Sequence, residues 1–181
     1  MSFCLIILAG GNSHRFKSNI AKPYQKIGGK SLIEININKA RRFKQIKKII
    51  LVYNKKDSKR VKSLKLKNVK LIIGGKNRQQ SAFNALKHLI KTKGISKVLI
   101  HDVARPNFSL KLLKAIIRNI KNFRAVVPKI EINDAVKQKI DSSLNEYILG
   151  KKRDNLFLTQ TPQAFDLKEI FHLHSDNAAK Y

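Results

Sequence analysis

The chain has 181 residues, 39 Lys+Arg against 11 Asp+Glu for a formal net charge of +28, 43% hydrophobic residues, one Cys and no Trp. That length suits one domain, and the ordinary apolar fraction excludes a disordered polycation. A single thiol excludes a disulfide framework or Cys-cluster zinc site and suits a reducing, cytoplasmic compartment, while no apolar run approaches the ~18–20 residues of a membrane span.

Short apolar, β-branched runs alternate with amphipathic segments along the chain. Residues 3–8 read as a fully buried strand. With no basic residue ahead of it and a short apolar core, the run makes a poor signal peptide. Residues 31–42 read as a helix opened by a Ser-x-x-Glu capping box, Ser31 with Glu34. Strands follow at 48–53 and 69–73, with a short helix at 58–64 between them. Residues 79–91 read as a helix with Phe83, Leu86, Leu89 and Ile90 on its core face. A strand at 97–101 precedes a helix that Ser109 caps and that turns Leu110, Leu113, Ile117 and Ile120 inward. A strand at 124–127 stops at Pro128. This β-α-β-α rhythm predicts an α/β domain, a mostly parallel sheet with helices on both faces.

The rhythm breaks over 129–153, which is polar, mixed in sign and without a helical period. That stretch fits either an extended hairpin standing off the domain or a disordered loop; a long ordered insertion in a compact domain is usually functional. The fold is expected to resume with a strand at 156–159 and a helix at 166–174. No internal repeat, low-complexity tract or interdomain linker divides residues 1–181.

In open parallel sheets ligands bind beyond the carboxyl ends of the strands. The first strand runs into Ala9-Gly10-Gly11-Asn12-Ser13-His14-Arg15, then Lys22-Pro23. Two Gly let a phosphate approach backbone N–H groups, and Arg15 and Lys22 can neutralise its charge; by itself the loop equally fits a plain strand-to-helix turn. The Gly-x-Gly-x-x-Gly pattern of dinucleotide folds is absent here. Gly28-Gly29-Lys30-Ser31 imitates the end of a P-loop, but no strand precedes it and Tyr24 stands where the first Gly belongs.

The third strand ends in Gly74-Gly75-Lys76-Asn77-Arg78-Gln79-Gln80-Ser81, again a Gly pair before a helix N-terminus, which suits an anion or a base edge, or an ordinary turn capped by Asn77. The fourth ends in His101-Asp102-Val103-Ala104-Arg105-Pro106. Asp102 at a strand end can hold a magnesium ion or pair with Arg105. A His on a buried strand, such as His101, is more often structural than a catalytic base. His172 and His174 point to different faces of their helix, which argues against a metal site with Asp176.

Further stretches are Asp134-Ala135-Val136-Lys137, and Arg153 through Gln160-Thr161-Pro162-Gln163-Ala164-Phe165. Together with the loops above, in this order, they resemble the 2-C-methyl-D-erythritol 4-phosphate cytidylyltransferases of isoprenoid-precursor synthesis. The first loop is common to many sugar nucleotidyltransferases; the Asp-x-Ala-Arg-Pro and Gln-Thr-Pro-Gln stretches are far more specific. A ribitol-phosphate cytidylyltransferase group shares most of them. The resemblance implies a three-layer Rossmann-like nucleotidyltransferase fold and a homodimer in which the protruding 129–153 β-arm completes the neighbour's acceptor site. It implies CMP transfer from CTP to 2-C-methyl-D-erythritol 4-phosphate, giving 4-diphosphocytidyl-2-C-methyl-D-erythritol and pyrophosphate. CTP would lie on Ala9, Gly10, Gly11, Asn12 and Ser13, and on Gly74, Gly75, Lys76 and Ser81. Asp102 would hold Mg2+ and Arg15 and Lys22 would be catalytic. Arg105, Asp134, Ala135, Arg153 and Thr161 would place the acceptor.

The chain departs from that pattern at Ala21, where Pro is usual, at Ala135, often Thr, and at Lys76, often acidic. The family pattern also continues past Tyr181 with a strand, an Asp-Asn-x-Lys-type segment and a helix, so a C-terminally incomplete domain is expected; some relatives fuse it to a cyclodiphosphate synthase. The charge suggests nucleic-acid binding as a competing reading. Against it, only nine of the 39 basic residues are Arg, Lys is spread along the whole chain, and aromatics make up 7%. Readers of nucleic acid usually add Arg forks and exposed aromatics, so no specific nucleic-acid or membrane partner is expected.

Overall fold

The computed structural model describes residues 1–11, 18, 20–139, 147–149 and 153–177. Its first strand, β1 (Phe3–Ala9), is buried along its whole length. It splits its side chains between two cores, with Leu5 and Ile7 on one face and Cys4, Ile6 and Leu8 on the other. A small ribbon, β2 (Lys26–Ile27) with β3 (Lys30–Ser31), leads into helix α1 (Leu32–Ala40). The expected capping box starts α1: Ser31 Oγ accepts from the Glu34 N–H, and Glu34 Oε2 accepts from the Ser31 N–H at 2.8 Å. Such a cap is worth about 1 kcal/mol.

Next come β4 (Ile46–Tyr53), the short α2 (Ser58–Ser63), β5 (Val69–Ile73), α3 (Arg78–Leu89), β6 (Lys97–Asp102), α4 (Leu110–Asn119) and β7 (Ala125–Val126). The expected strand at 124–127 thus shrinks to two residues. α3 presses Ala82, Ala85, Leu86 and Leu89 onto the sheet. Phe83, expected in that face, is half-buried and packs with its ring tilted against that of Phe171, centroids 5.9 Å apart. The small Ala pair lets the helix backbone approach the strands, and the bulky ring is left to cover the neighbouring helix. In α4 the buried face is Leu113, Ile116, Ile117 and the following Ile120, with Leu110 only half-buried.

The arm then begins. β8 (Lys129–Glu131) pairs antiparallel with β11 (Phe157–Thr159), and β9 (Lys137–Lys139) with β10 (Tyr147–Leu149). The expected strand at 156–159 therefore returns to the arm's base and not to the main sheet. The main sheet is rejoined by β12 (Gln163–Asp166), antiparallel to β6, before α5 (Leu167–Asp176), which Asp166 caps. The six-stranded order is β5-β4-β1-β6-β12-β7, with β5, β4, β1 and β6 parallel. α1, α2 and α4 cover one face; α3 and α5 cover the other. No helix is long and apolar enough, among the described residues, to cross a membrane.

Candidate active site

From β1 the chain proceeds to β4 on one side, whereas from β6 it proceeds to β7 on the other. The strand order reverses between β1 and β6, the usual ligand crevice of an open α/β sheet. A cleft of about 350 Å3 opens there. Gly10 and Gly11 after β1, Gly75 to Arg78 and Ser81 around the start of α3, and Asp102 at the end of β6 line it, together with Asn54. The two glycine loops abut: a Cβ on Gly10 would lie 3.8 Å from Gly74 Cα. Asn54 Nδ2 donates to the Gly10 carbonyl at 3.3 Å.

The second loop is tied to its own helix. Ser81 Oγ accepts from the Gly75 N–H at 3.0 Å, Gln80 Oε1 from the Lys76 N–H at 2.6 Å, and Asn77 Oδ1 from the Gln80 N–H at 2.8 Å. Gln80 folds so tightly over the loop that a Cβ on Gly75 would collide with its Cγ and lie 2.6 Å from its Cβ.

Asp102 is shared by two guanidinium groups, with Oδ1 3.0 Å from Arg78 Nε and Oδ2 3.7 Å from Arg105 Nε. Arg105 also donates through Nη1 to Gln160 Oε1. α1 fastens the loop after β6 from beneath. Asn36 Nδ2 donates to the Val103 carbonyl at 3.0 Å, and Lys39 Nζ to those of Pro106 at 2.6 Å and Phe108 at 3.1 Å. Burial, and then the Arg42 charge, hold the Lys39 ammonium below its usual pKa.

His101 is fully buried. Its Nε2 lies 2.9 Å from Asn36 Oδ1, its Nδ1 2.9 Å from Thr161 Oγ1, and its ring meets the Phe108 ring edge-on at 4.7 Å. Burial pushes its pKa down to about 4, against the opposing pull of Asp102, so the ring is neutral near pH 7.

The sequence-predicted residues thus divide. Ala9, buried at the end of β1, carries Gly10 and Gly11 into the cleft, where Gly75, Lys76, Ser81 and Asp102 meet them, with Gly74 packed behind. Lys22, half-buried, opens the turn Lys22–Tyr24, whose Pro23 and Tyr24 are buried. Asn12, Ser13 and Arg15 lie outside the described residues. Arg105 and Thr161 line a second hollow of about 460 Å3 with Ser109, Lys129 and Gln160. Asp134 and Ala135 are exposed on the arm, and Arg153 donates through Nη1 to the Asn133 carbonyl at 2.7 Å, beside a separate hollow. One chain therefore does not gather the arm residues around its own Asp102.

Sequence reasoning left Arg78 and Asn36 without roles. Asn36 carried a signal, a polar residue one helical turn after Leu32 on a face that must be buried and so must find partners.

Among the described residues no group of three or more His, Cys, Asp or Glu could hold a metal ion. A magnesium ion needs only one or two carboxylates where substrate phosphates complete its octahedron. Asp102 fits as that single carboxylate, because Arg78 and Arg105, both about half-exposed, can turn from it to phosphate oxygens.

The model of the 2-C-methyl-D-erythritol 4-phosphate cytidylyltransferase (IspD) family matches residues 3–180. The chain belongs to this family. A bifunctional IspD/IspF enzyme of Pelagibacter ubique is 47% identical over 178 residues, covering 98% of this chain and 47% of the relative. A 2-C-methyl-D-erythritol 4-phosphate cytidylyltransferase of Thermosipho africanus is 35% identical, covering 91% and 73%. The crystal structure of a 4-diphosphocytidyl-2C-methyl-D-erythritol synthase from Anaerococcus prevotii superposes with a TM-score of 0.80 at 32% identity, covering 98% of this chain and 75% of that one. The chain therefore spans about half the length of the bifunctional relative and about three-quarters of the single-function one. Its α/β fold is the nucleotidyltransferase fold of the IspD family.

Proposed function

We propose that the chain transfers CMP from CTP to 2-C-methyl-D-erythritol 4-phosphate, releasing pyrophosphate, as a step of non-mevalonate isoprenoid-precursor synthesis. The observation that carries this reading is the cleft at the strand-order reversal, where two glycine loops and Asp102 converge in a chain of the IspD family. The glycine loop after β1 would offer backbone N–H groups to a triphosphate, and the close approach of the second glycine loop, whose own N–H groups are held within the protein, leaves a slot suited to a base.

An oxygen of the acceptor's phosphate would attack the α-phosphorus of CTP. The bond from that phosphorus to the bridging oxygen would break, and pyrophosphate would carry off the electron pair. Because two anions must meet, catalysis rests on positioning and charge neutralisation and needs no protein nucleophile. Lys22 and Arg15 would neutralise charge gathering at the α-phosphate. Arg78 and Arg105 would leave Asp102 for phosphate oxygens as substrates enter. Magnesium, held in part by Asp102, would supply further charge neutralisation on the phosphates.

Arg105 would place the acceptor together with Asp134, Ala135 and Arg153 from the arm of a second copy, with Thr161 supporting the set from below. A homodimer accords with the arm's exposed apolar side chains Ile130, Phe157 and Leu158. A cytoplasmic site of action accords with the single thiol, Cys4, which is free and buried.

The test is pyrophosphate release from CTP with each polyol phosphate in turn, with and without magnesium. Release with methylerythritol phosphate, dependent on magnesium and reduced about 10²–10³-fold by Lys22→Ala, is expected. Release with ribitol 5-phosphate in its place, or undiminished turnover in the Lys22→Ala variant, would overturn the assignment.

A further inference from the structure

The buried polar side chains among the described residues are Ser31, Asn36, Ser81, His101 and Thr161. Ser31 caps α1 and Ser81 holds Gly75. The other three form one line of hydrogen bonds, whose sense the Asn36 amide sets. Asn36 Nδ2 donates to the carbonyls of Leu32 at 2.7 Å and Val103 at 3.0 Å, so Oδ1 is the atom facing His101 Nε2. Turned the other way, the amide would set its oxygen against two carbonyl oxygens. An acceptor at that point requires the proton on Nε2, and the neutral imidazole then offers Nδ1 as an acceptor. The Thr161 hydroxyl, 2.9 Å away, therefore donates to Nδ1. Its remaining lone pairs face the backbone N–H of Asp102 at 3.2 Å. The line starts on α1, passes beside β6 and ends on the residue whose carboxylate lies in the cleft.

We propose that Asn36 and His101 are positioning residues: through the Thr161 hydroxyl they hold the Asp102 backbone, and with it the carboxylate shared by Arg78 and Arg105, in the orientation that CMP transfer requires. This rests on the function proposed above. Thr161 is 6% exposed and its hydroxyl is engaged by both His101 and the Asp102 backbone, which suits it to holding Asp102. A buried line of this kind is stiff because each group would be left unpaired if another moved.

Thr161→Val keeps the side chain's shape and deletes only the hydroxyl; Thr161→Ser keeps the hydroxyl. In the transfer assay, Thr161→Val is expected to lower kcat about 10–100-fold with both KM values little changed, as loss of a supporting contact does. Thr161→Ser should retain most of the rate. A Thr161→Val/His101→Gln double variant should be no slower than the slower single, because both break one line. A raised acceptor KM at unchanged kcat in Thr161→Val would overturn the proposal, since that marks a lost substrate contact. So would a wild-type kcat in Thr161→Val, or additive losses in the double variant. Nitrogen-15 NMR of histidine-labelled protein gives a readout independent of activity. His101 should be the Nε2–H tautomer, with its Nδ1 resonance displaced in Thr161→Val and restored in Thr161→Ser. An Nδ1–H tautomer overturns the relay. A wild-type chain that releases no pyrophosphate sinks the proposed function, and the relay then stands or falls on the tautomer.

Discussion

Gly75 shows how a single residue's lack of a side chain shapes the cleft. Its N–H is spent on Ser81 Oγ, and the next N–H on Gln80 Oε1, so Gln80 must lie across the loop. A methyl group on Gly75 would come within 2.6 Å of Gln80 Cβ, an atom fixed to the helix backbone that no rotamer change can move away. Gly75→Ala should therefore push the loop off α3. We expect a loss of about 1–3 kcal/mol, as overpacking typically costs, read as a Tm lower by several degrees together with weaker CTP binding by calorimetry. Gln80→Ala in the same chain should recover part of the loss by removing Cγ and Oε1. An unchanged Tm and affinity in Gly75→Ala would show that the loop does not need its present path. At this scale the sequence displayed the glycines and the Asn77 cap plainly. It could not display the collision, because Gln80 becomes a wall only once α3 begins at Arg78.

The elements were legible wherever burial was complete. β1, β4 and β6 are near-continuous apolar runs, as strands covered on both faces must be, and Ser31 with Glu34 announced α1. β12 went unread because Gln163–Asp166 is short and only Ala164 is fully buried, so neither an apolar run nor a clean alternation marks it. The run at 157–159 was legible as a strand but not in its partner, since a short apolar run carries no record of what it pairs with. Its pairing with Lys129–Glu131 leaves an isolated two-stranded ribbon, which is marginal in water. Yet Ile130, Phe157 and Leu158 on that ribbon are each more than half exposed. A ribbon carrying three large apolar side chains needs a cover, and a second copy of the arm and cleft is the cover proposed above. Phe157→Glu with Leu158→Glu should shift sedimentation at micromolar concentration from dimer to monomer and cut CMP transfer. The Tm should move little, since neither residue belongs to either core. A variant that still sediments as a dimer would place the interface elsewhere.

For the whole molecule, the net charge of +28 acquires a structural meaning from where the acids are spent. Asp57 pairs with Arg60, Asp102 with Arg78 and Arg105, Asp166 with Lys97, and Glu169 with Arg124. Glu34 serves the capping box, and its Ser31 hydrogen bond holds its carboxyl below the usual pKa. The six other acids are far too few to offset 39 Lys and Arg spread along the chain, so the field is diffuse and repulsive and not focused on one groove. Such self-repulsion opposes the compact state and is screened over about 30 Å at 0.01 M salt but about 10 Å at 0.1 M. The Tm should therefore rise by several degrees when sodium chloride is raised through that range, and glucose at equal osmolality should not reproduce the rise. A Tm that stays flat or falls with salt would mean that the folded state is held by specific ion pairs of greater worth than the repulsion. The half-exposed pairs around Asp102 argue against that outcome, because surface pairs contribute little and are themselves weakened by salt. The same diffuse field would draw CTP and a polyol phosphate toward the molecule from any side, leaving the selection between them to the few cations placed around the cleft.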